Sequence, residues 1–197
     1  MTFKLGLTGS IGMGKSSTAR IFADLGCAVW DADAAVHRLY TQGGPAVAPI
    51  AALFPEAVVD GSVSRDALKT LISANSQVLG QIEAIVHPLV AQDRADFIAN
   101  SNSDVTVLDI PLLFETGSEA TMDAIVCVSV PPEVQEARVL ARGTMSRDTF
   151  ETIKRKQMPN DDKCKRSDYV VITDTPEHAT SQVAAILQTI REGLKHA

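Results

Sequence analysis

The chain has 197 residues, of which 45% are hydrophobic and 21% charged, with a net charge of −6. That balance suits a compact α/β domain with a small insertion and excludes disordered, collagenous and disulfide-scaffold classes. Its three cysteines, Cys27, Cys127 and Cys164, form no C-x-x-C pair, the N-terminus turns polar too soon for a signal peptide, and no apolar run reaches the ~18 residues that span a membrane. A cytoplasmic protein without a membrane or nucleic-acid partner is therefore expected, the mild acidity arguing against a generic nucleic-acid surface.

In chain order, a short apolar strand is predicted at 3–7, then a glycine-rich turn and a helix over 15–25 stopped at Gly26. A second strand, 28–30, runs into Trp30-Asp31-Ala32-Asp33. Residues 34–100 show no buried-strand pattern, but amphipathic helical periodicity occupies 65–73 and 78–99, so a helical insertion is expected there. Strands follow at 105–108 and 125–130. A helix opens at Pro132 and ends at Arg142 before Gly143, a fifth strand covers 169–172, and a helix at 177–191 closes the pattern. Short apolar strands alternating with helices give an α/β fold with a parallel sheet of about five strands flanked by helices.

Gly9-Ser10-Ile11-Gly12-Met13-Gly14-Lys15-Ser16 fits G-x-x-x-x-G-K-[ST] and lies between a predicted strand and a predicted helix, the context this phosphate-binding motif requires. Its glycines let successive N–H groups converge on phosphate oxygens at the positive end of a helix. The alternative, a turn that merely joins strand and helix, is outweighed because motif and context agree. The nucleotide-binding set is then Gly9, Gly12, Met13, Gly14, Lys15, Ser16 and Ser17, with Lys15 reaching the β- and γ-phosphates of ATP and Ser16 ligating Mg²⁺. A dinucleotide fingerprint fails because Ser17 stands where its third glycine belongs. No N-K-x-D sequence is present for guanine, so adenine is the expected base, and the fold class becomes that of the P-loop NTPases.

Ligands of such sheets bind beyond the carboxyl ends of the strands, which draws attention to Asp31 and Asp33. A carboxylate there accepts the proton of an attacking hydroxyl, or else the pair caps the following helix. Asp109, at the end of a later strand, is either a magnesium-side carboxylate or a strand-end cap. His87 before Pro88 reads by itself as a helix-end or core histidine. His37, His178 and His196 carry no functional argument. Between Arg138 and Arg166 stand nine Lys or Arg and four Asp or Glu, a local +5 in an acidic chain, which points to a mobile, phosphate-clamping segment in preference to a solvated helical face.

Leu7-Thr8 with the phosphate loop, Asp31-Ala32-Asp33, Asp60-Gly61 with Arg65, His87-Pro88, Pro111-Leu112-Leu113 with Glu115, and Gln135 with Arg138 and Arg142 together resemble the dephospho-CoA kinase family over nearly the whole chain. That resemblance implies ATP-dependent phosphorylation of the ribose 3′-hydroxyl of dephospho-CoA, with Mg²⁺, as the last step of coenzyme A synthesis. It implies Asp33 as the base, with Lys15 and Arg142 as the other catalytic groups. Thr8, Asp31, Asp33, Arg65 and His87 are implied to bind the acceptor, and Arg138 and Arg142 to bind nucleotide from a lid. The expected organisation is a nucleotide-binding core (1–33, 104–137, 167–197), a helical acceptor domain (34–103) and a basic lid (138–166). Two rivals stand beside it: a kinase of the same fold for another small acceptor, and a nucleic-acid-stimulated ATPase using the basic segment.

Overall fold

The computed structural model describes residues 2–195, and His196 lies outside them. In chain order the elements are β1 (Phe3–Thr8), α1 (Lys15–Asp24), β2 (Ala28–Asp31), α2 (Ala32–Tyr40), α3 (Val47–Leu53), β3 (Val58–Val59), β4 (Ser62–Val63), α4 (Arg65–Ala74) and α5 (Gln77–Ala99). They continue as β5 (Val105–Asp109), β6 (Ala124–Ser129), α6 (Pro132–Ala141), α7 (Arg147–Lys156), α8 (Asn160–Arg166), β7 (Tyr169–Ile172) and α9 (Pro176–Lys195). Two compact units result, one from the chain up to Trp30 and from Ser101 onward, the other from Asp31–Asn100. No helix among the described residues is long and apolar enough to cross a membrane.

The first unit carries the expected five-stranded parallel sheet, in the order β2-β5-β1-β6-β7. Leu5 of β1 pairs with Val107 on one side and Ala124 on the other. All of β5 and nearly all of β6 are buried, as strands covered on both faces require, so they read as continuous apolar runs. Phe22 of α1 and Val183, Leu187 and Ile190 of α9 complete this core with Leu5, Leu7, Val126 and Val171. β1, β2 and β5 each end one residue later than the apolar pattern suggests. Thr8 and Asp109 are polar yet fully paired in the ladder, opposite Cys127 and Leu7 respectively. Since β1 lies between β5 and β6, the crevice beyond its carboxyl end is where a fold of this class receives ligands.

The second unit packs α2, α3, α4 and α5 around Leu39, Ile50, Phe54, Leu68, Ile82 and Val86. Val78, Ile82 and Val86 recur every fourth residue along α5 and are its buried stripe. The Arg38 guanidinium donates to both carboxylate oxygens of Asp93, at 2.6 and 3.2 Å, and ties α2 to α5. One sequence expectation is corrected here. β3 and β4 form an antiparallel hairpin where no strand was expected, since two-residue strands leave no alternation to read. Its turn, Asp60-Gly61, has φ of 50° and 74°, the pair of positive values that a two-residue hairpin turn demands.

Candidate active site

The loop between β1 and α1 is shaped by glycine where no other residue fits. Gly12 has φ 80° and a Cβ there would meet Val139 Cγ2 at 2.5 Å; Gly14 has φ 91° and a Cβ would meet Thr173 Oγ1 at 2.7 Å. Gly14 is also the N-cap of α1, and no side chain caps that helix, so its first-turn N–H groups, Lys15, Ser16 and Ser17 among them, present the positive end of the helix. The Ser16 and Ser17 side chains are exposed, whereas Gly9, Gly12 and Met13 are buried. Met13 turns its thioether inward, accepting the Val130 N–H at 3.3 Å, and its own N–H donates to the Ser10 carbonyl at 3.2 Å.

The rest of the unit braces this loop from outside. Asn160 Oδ1 accepts the Ser10 N–H at 3.0 Å and Gln157 Oε1 the Ile11 N–H at 3.2 Å. Gln135 Nε2 donates to the Ile11 carbonyl at 2.7 Å, and the Thr173 hydroxyl to the Met13 carbonyl at 2.7 Å. None of these braces was expected as part of the loop. They join residues more than a hundred positions apart, and no local pattern announces such a pair.

Lys15 Nζ donates to Asp109 Oδ1, and the Asp109 side chain is 2% exposed against 16% for Lys15. Asp109, left between a magnesium-side carboxylate and a cap, is thus the ion-pair partner of the loop lysine. An ammonium has three donors, so this bond leaves two for phosphate. Among the described residues no group of three or more His, Cys, Asp or Glu could hold a metal ion. The Ser16 hydroxyl and the Asp109 carboxylate are two oxygen donors at the loop, and such a pair fits an ion carried in on phosphate oxygens with one or two protein ligands.

Two of the expected residues make hydrogen bonds within the fold here. Thr8, expected at the acceptor, is fully buried and its hydroxyl donates to the Pro111 carbonyl at 3.2 Å. Arg138, expected in the lid, donates to the Thr173 hydroxyl at 3.1 Å and to the Thr173 and Asp174 carbonyls at 2.6 and 3.4 Å. Its fork is engaged in holding the residue that holds the loop. Arg142, the C-cap of α6, is exposed and has no hydrogen bond or ion pair with a described residue.

The basic segment is not uniformly free either, because much of its charge is paired. Lys163 of α8 is fully buried; its ammonium donates to the Pro111 carbonyl at 3.0 Å and pairs with Glu115 at 2.9 Å. Arg166 pairs with Glu119 at 2.7 Å and stacks over the Phe114 ring. Burial alone would push the Glu115 carboxyl up, but hydrogen bonds from Lys163 and the Met158 N–H hold it below the usual glutamate range. This contribution to stability is therefore complete above the ordinary value of 4.5 and is lost as pH falls below it through the lowered folded-state value. Glu115→Leu leaves a buried ammonium with one carbonyl partner and is expected to cost about 3 kcal/mol, measured by denaturant unfolding. Lys163→Met added to it should recover most of that loss; a double variant as unstable as the single would show that the pair is not the cause.

The remaining expected residues belong to the second unit. Asp31 is the N-cap of α2, its carboxylate accepting the Ala34 N–H at 2.8 Å. Asp33, in the first turn of α2, is exposed and makes no hydrogen bond or ion pair with a described residue. Arg65 opens α4 beside the N-cap Ser64. Burial raises the Tyr40 phenol, and the Arg65 charge partly offsets that rise. His87 lies exposed in the middle of α5, followed by Pro88 within the helix, so it is neither a helix-end nor a core histidine.

A sequence model described as dephospho-CoA kinase matches residues 3–178. A protein of Ruegeria pomeroyi named dephospho-CoA kinase is 64% identical over 197 residues, covering 100% of both chains. A crystal structure from Thermus thermophilus superposes with a TM-score of 0.86 at 32% identity, covering 95% of this chain and 97% of that one. A shikimate kinase of Bacteroides thetaiotaomicron, at 13% identity and TM-score 0.51 over 97% of this chain and 99% of its own, shares the fold alone. With a phosphate loop braced at the head of α1 and these matches along its length, the chain belongs to the dephospho-CoA kinase family.

Proposed function

We propose that the protein transfers the γ-phosphoryl group of ATP to the ribose 3′-hydroxyl of dephospho-CoA, giving coenzyme A and ADP. The observation that carries this reading is the phosphate loop with Lys15 at its centre in a chain of this family. ATP enters with Mg²⁺, which supplies charge neutralisation on the phosphates; Ser16 is its proposed protein ligand. Loop and first-turn amides bind the phosphates, and Lys15 turns its two remaining N–H donors to them. Asp33, whose carboxylate is free of internal partners, accepts the proton of the 3′-hydroxyl or orients it for attack, while Asp31 keeps α2 in place. Arg65 and His87 are the proposed acceptor contacts, in the Asp31–Asn100 unit as the acceptor-binding domain. Arg142 closes from the 138–166 segment as a lid, excluding water that would otherwise take the phosphoryl group. The reading places the protein in the cytoplasm.

The test is to incubate the protein with MgATP and dephospho-CoA and look for coenzyme A by mass spectrometry. A parallel panel of shikimate, gluconate and nucleoside monophosphates should give no product, and single-stranded nucleic acid should not stimulate hydrolysis. Phosphorylation of a panel acceptor instead of dephospho-CoA would overturn the assignment.

Arg142→Ala is expected to lower kcat by about 10², the scale of losing one donor to transition-state charge, with little change in the dissociation constant of ATP. Lysine should not restore the rate, since it cannot present a planar fork. An increase confined to KM for ATP would make Arg142 a ground-state phosphate ligand.

A further inference from the structure

Cys127 and Cys164 have their sulfurs 3.5 Å apart. Cys127 is buried in β6, opposite Thr8 in the ladder, and Cys164 is half-buried on α8. Between them and the phosphate loop stands Asn160, one turn before Cys164. Its amide nitrogen donates to the Val128 carbonyl and the Ser129 hydroxyl at 3.2 Å each and lies 3.6 Å from Cys164 Sγ. Its oxygen accepts the Ser10 N–H. The thiol pair and the loop therefore share one side chain.

We propose that Cys164 and Cys127 are a redox modification site whose co-reactant is hydrogen peroxide, Cys164 attacking and Cys127 resolving. The Cys164 thiolate attacks one peroxide oxygen; the O–O bond breaks, a sulfenic acid forms, and the departing hydroxide takes up a proton as water. Cys127 sulfur then attacks the sulfenic sulfur, the S–O bond breaks, and the leaving hydroxide takes the Cys127 proton. Two thiols and one peroxide yield one disulfide and two waters.

The environments of Cys164 and Cys27 differ in the same sense. A hydrogen bond from Cys127, aided by one from Ser129 and opposed by burial and the Asp161 charge, lowers Cys164 to about 7, whereas burial raises Cys27 to about 11. Thiolate character and access decide which cysteine reacts, so Cys27 is an internal control. In a reducing compartment such a bridge is transient.

Closing the bridge draws the sulfurs from 3.5 Å to about 2.05 Å, moving α8 against β6 at Asn160. Loss of the Ser10 brace is expected to weaken ATP binding about fivefold, the scale of one neutral hydrogen bond. The affinity readout rests on the loop binding ATP as proposed above; the cross-link does not.

The experiment treats the full chain with hydrogen peroxide, alkylates free thiols and maps the peptides by mass spectrometry. The expected result is a Cys127–Cys164 linked peptide with Cys27 alkylated, ATP binding weakened about fivefold by calorimetry, and both changes reversed by dithiothreitol. Cys164→Ser should keep its turnover and its ATP affinity through the same treatment. Sulfinic acid at Cys164 with Cys127 still alkylated, or Cys27 as the modified residue, would overturn the site. A complete cross-link with unchanged ATP affinity would overturn its coupling to the loop.

Discussion

Lys15→Ala is expected to lower kcat by about 10³ or more, because in the proposed reaction its ammonium meets charge that develops on the transferred phosphoryl group. It should also lower the melting temperature. The Asp109 carboxylate, 2% exposed, loses the cation that offsets its burial, at a cost of about 3 kcal/mol. The two effects separate in a double variant. Adding Asp109→Asn removes the buried charge and should return most of the stability while leaving turnover at the level of Lys15→Ala. Thermal unfolding and single-turnover kinetics on the three variants read both axes. A rate within tenfold of the parent would take Lys15 out of the chemistry.

Asp33→Asn is expected to reduce kcat by about 10² or more, the range for a positioned acid–base group, with ATP affinity unchanged. Asp31→Asn should do far less, since asparagine caps a helix about as well as aspartate and the Ala34 N–H would keep its acceptor. The contrast depends on the division of labour between capping Asp31 and unengaged Asp33. A larger loss at Asp31 would move the base to that residue and leave Asp33 as an ordinary first-turn acid of α2.

The phosphate loop was legible because its information is local: eight consecutive residues, a strand before them and a helix after. The five core strands were legible for the same reason, apart from ends such as Thr8 and Asp109, where polar residues sit inside the ladder. What the sequence hid lies at long range. Thr173 reaches Met13 across 160 positions and Asn160 reaches Ser10 across 150, and nothing in either neighbourhood marks the partner. The basic segment was only partly legible, for another reason. Counting nine cations between Arg138 and Arg166 says nothing of which are already committed, and Arg138, Lys163 and Arg166 are held by Thr173, Glu115 and Glu119. Arg142 differs from them only in what surrounds it, which composition does not record. For the same reason the motif shows Lys15 as a pure phosphate ligand, whereas the fold also makes it the counterion of Asp109.

The side chains that fix the phosphate loop engage the Ile11 and Met13 carbonyls and the Ser10 and Ile11 amides, and leave the first-turn N–H groups of α1 without a side-chain cap. A receptor of that kind responds to what every nucleoside triphosphate has in common. It is already in shape before the ligand arrives, so little ordering entropy opposes binding, and short inorganic polyphosphates should compete for it on nearly equal terms. Preference for adenine over guanine therefore has to be exerted away from the loop, where a base rather than a phosphate is within reach. The two preferences can then be altered independently: changes at those side chains tune how tightly any triphosphate is held, and changes near the base tune which one is chosen.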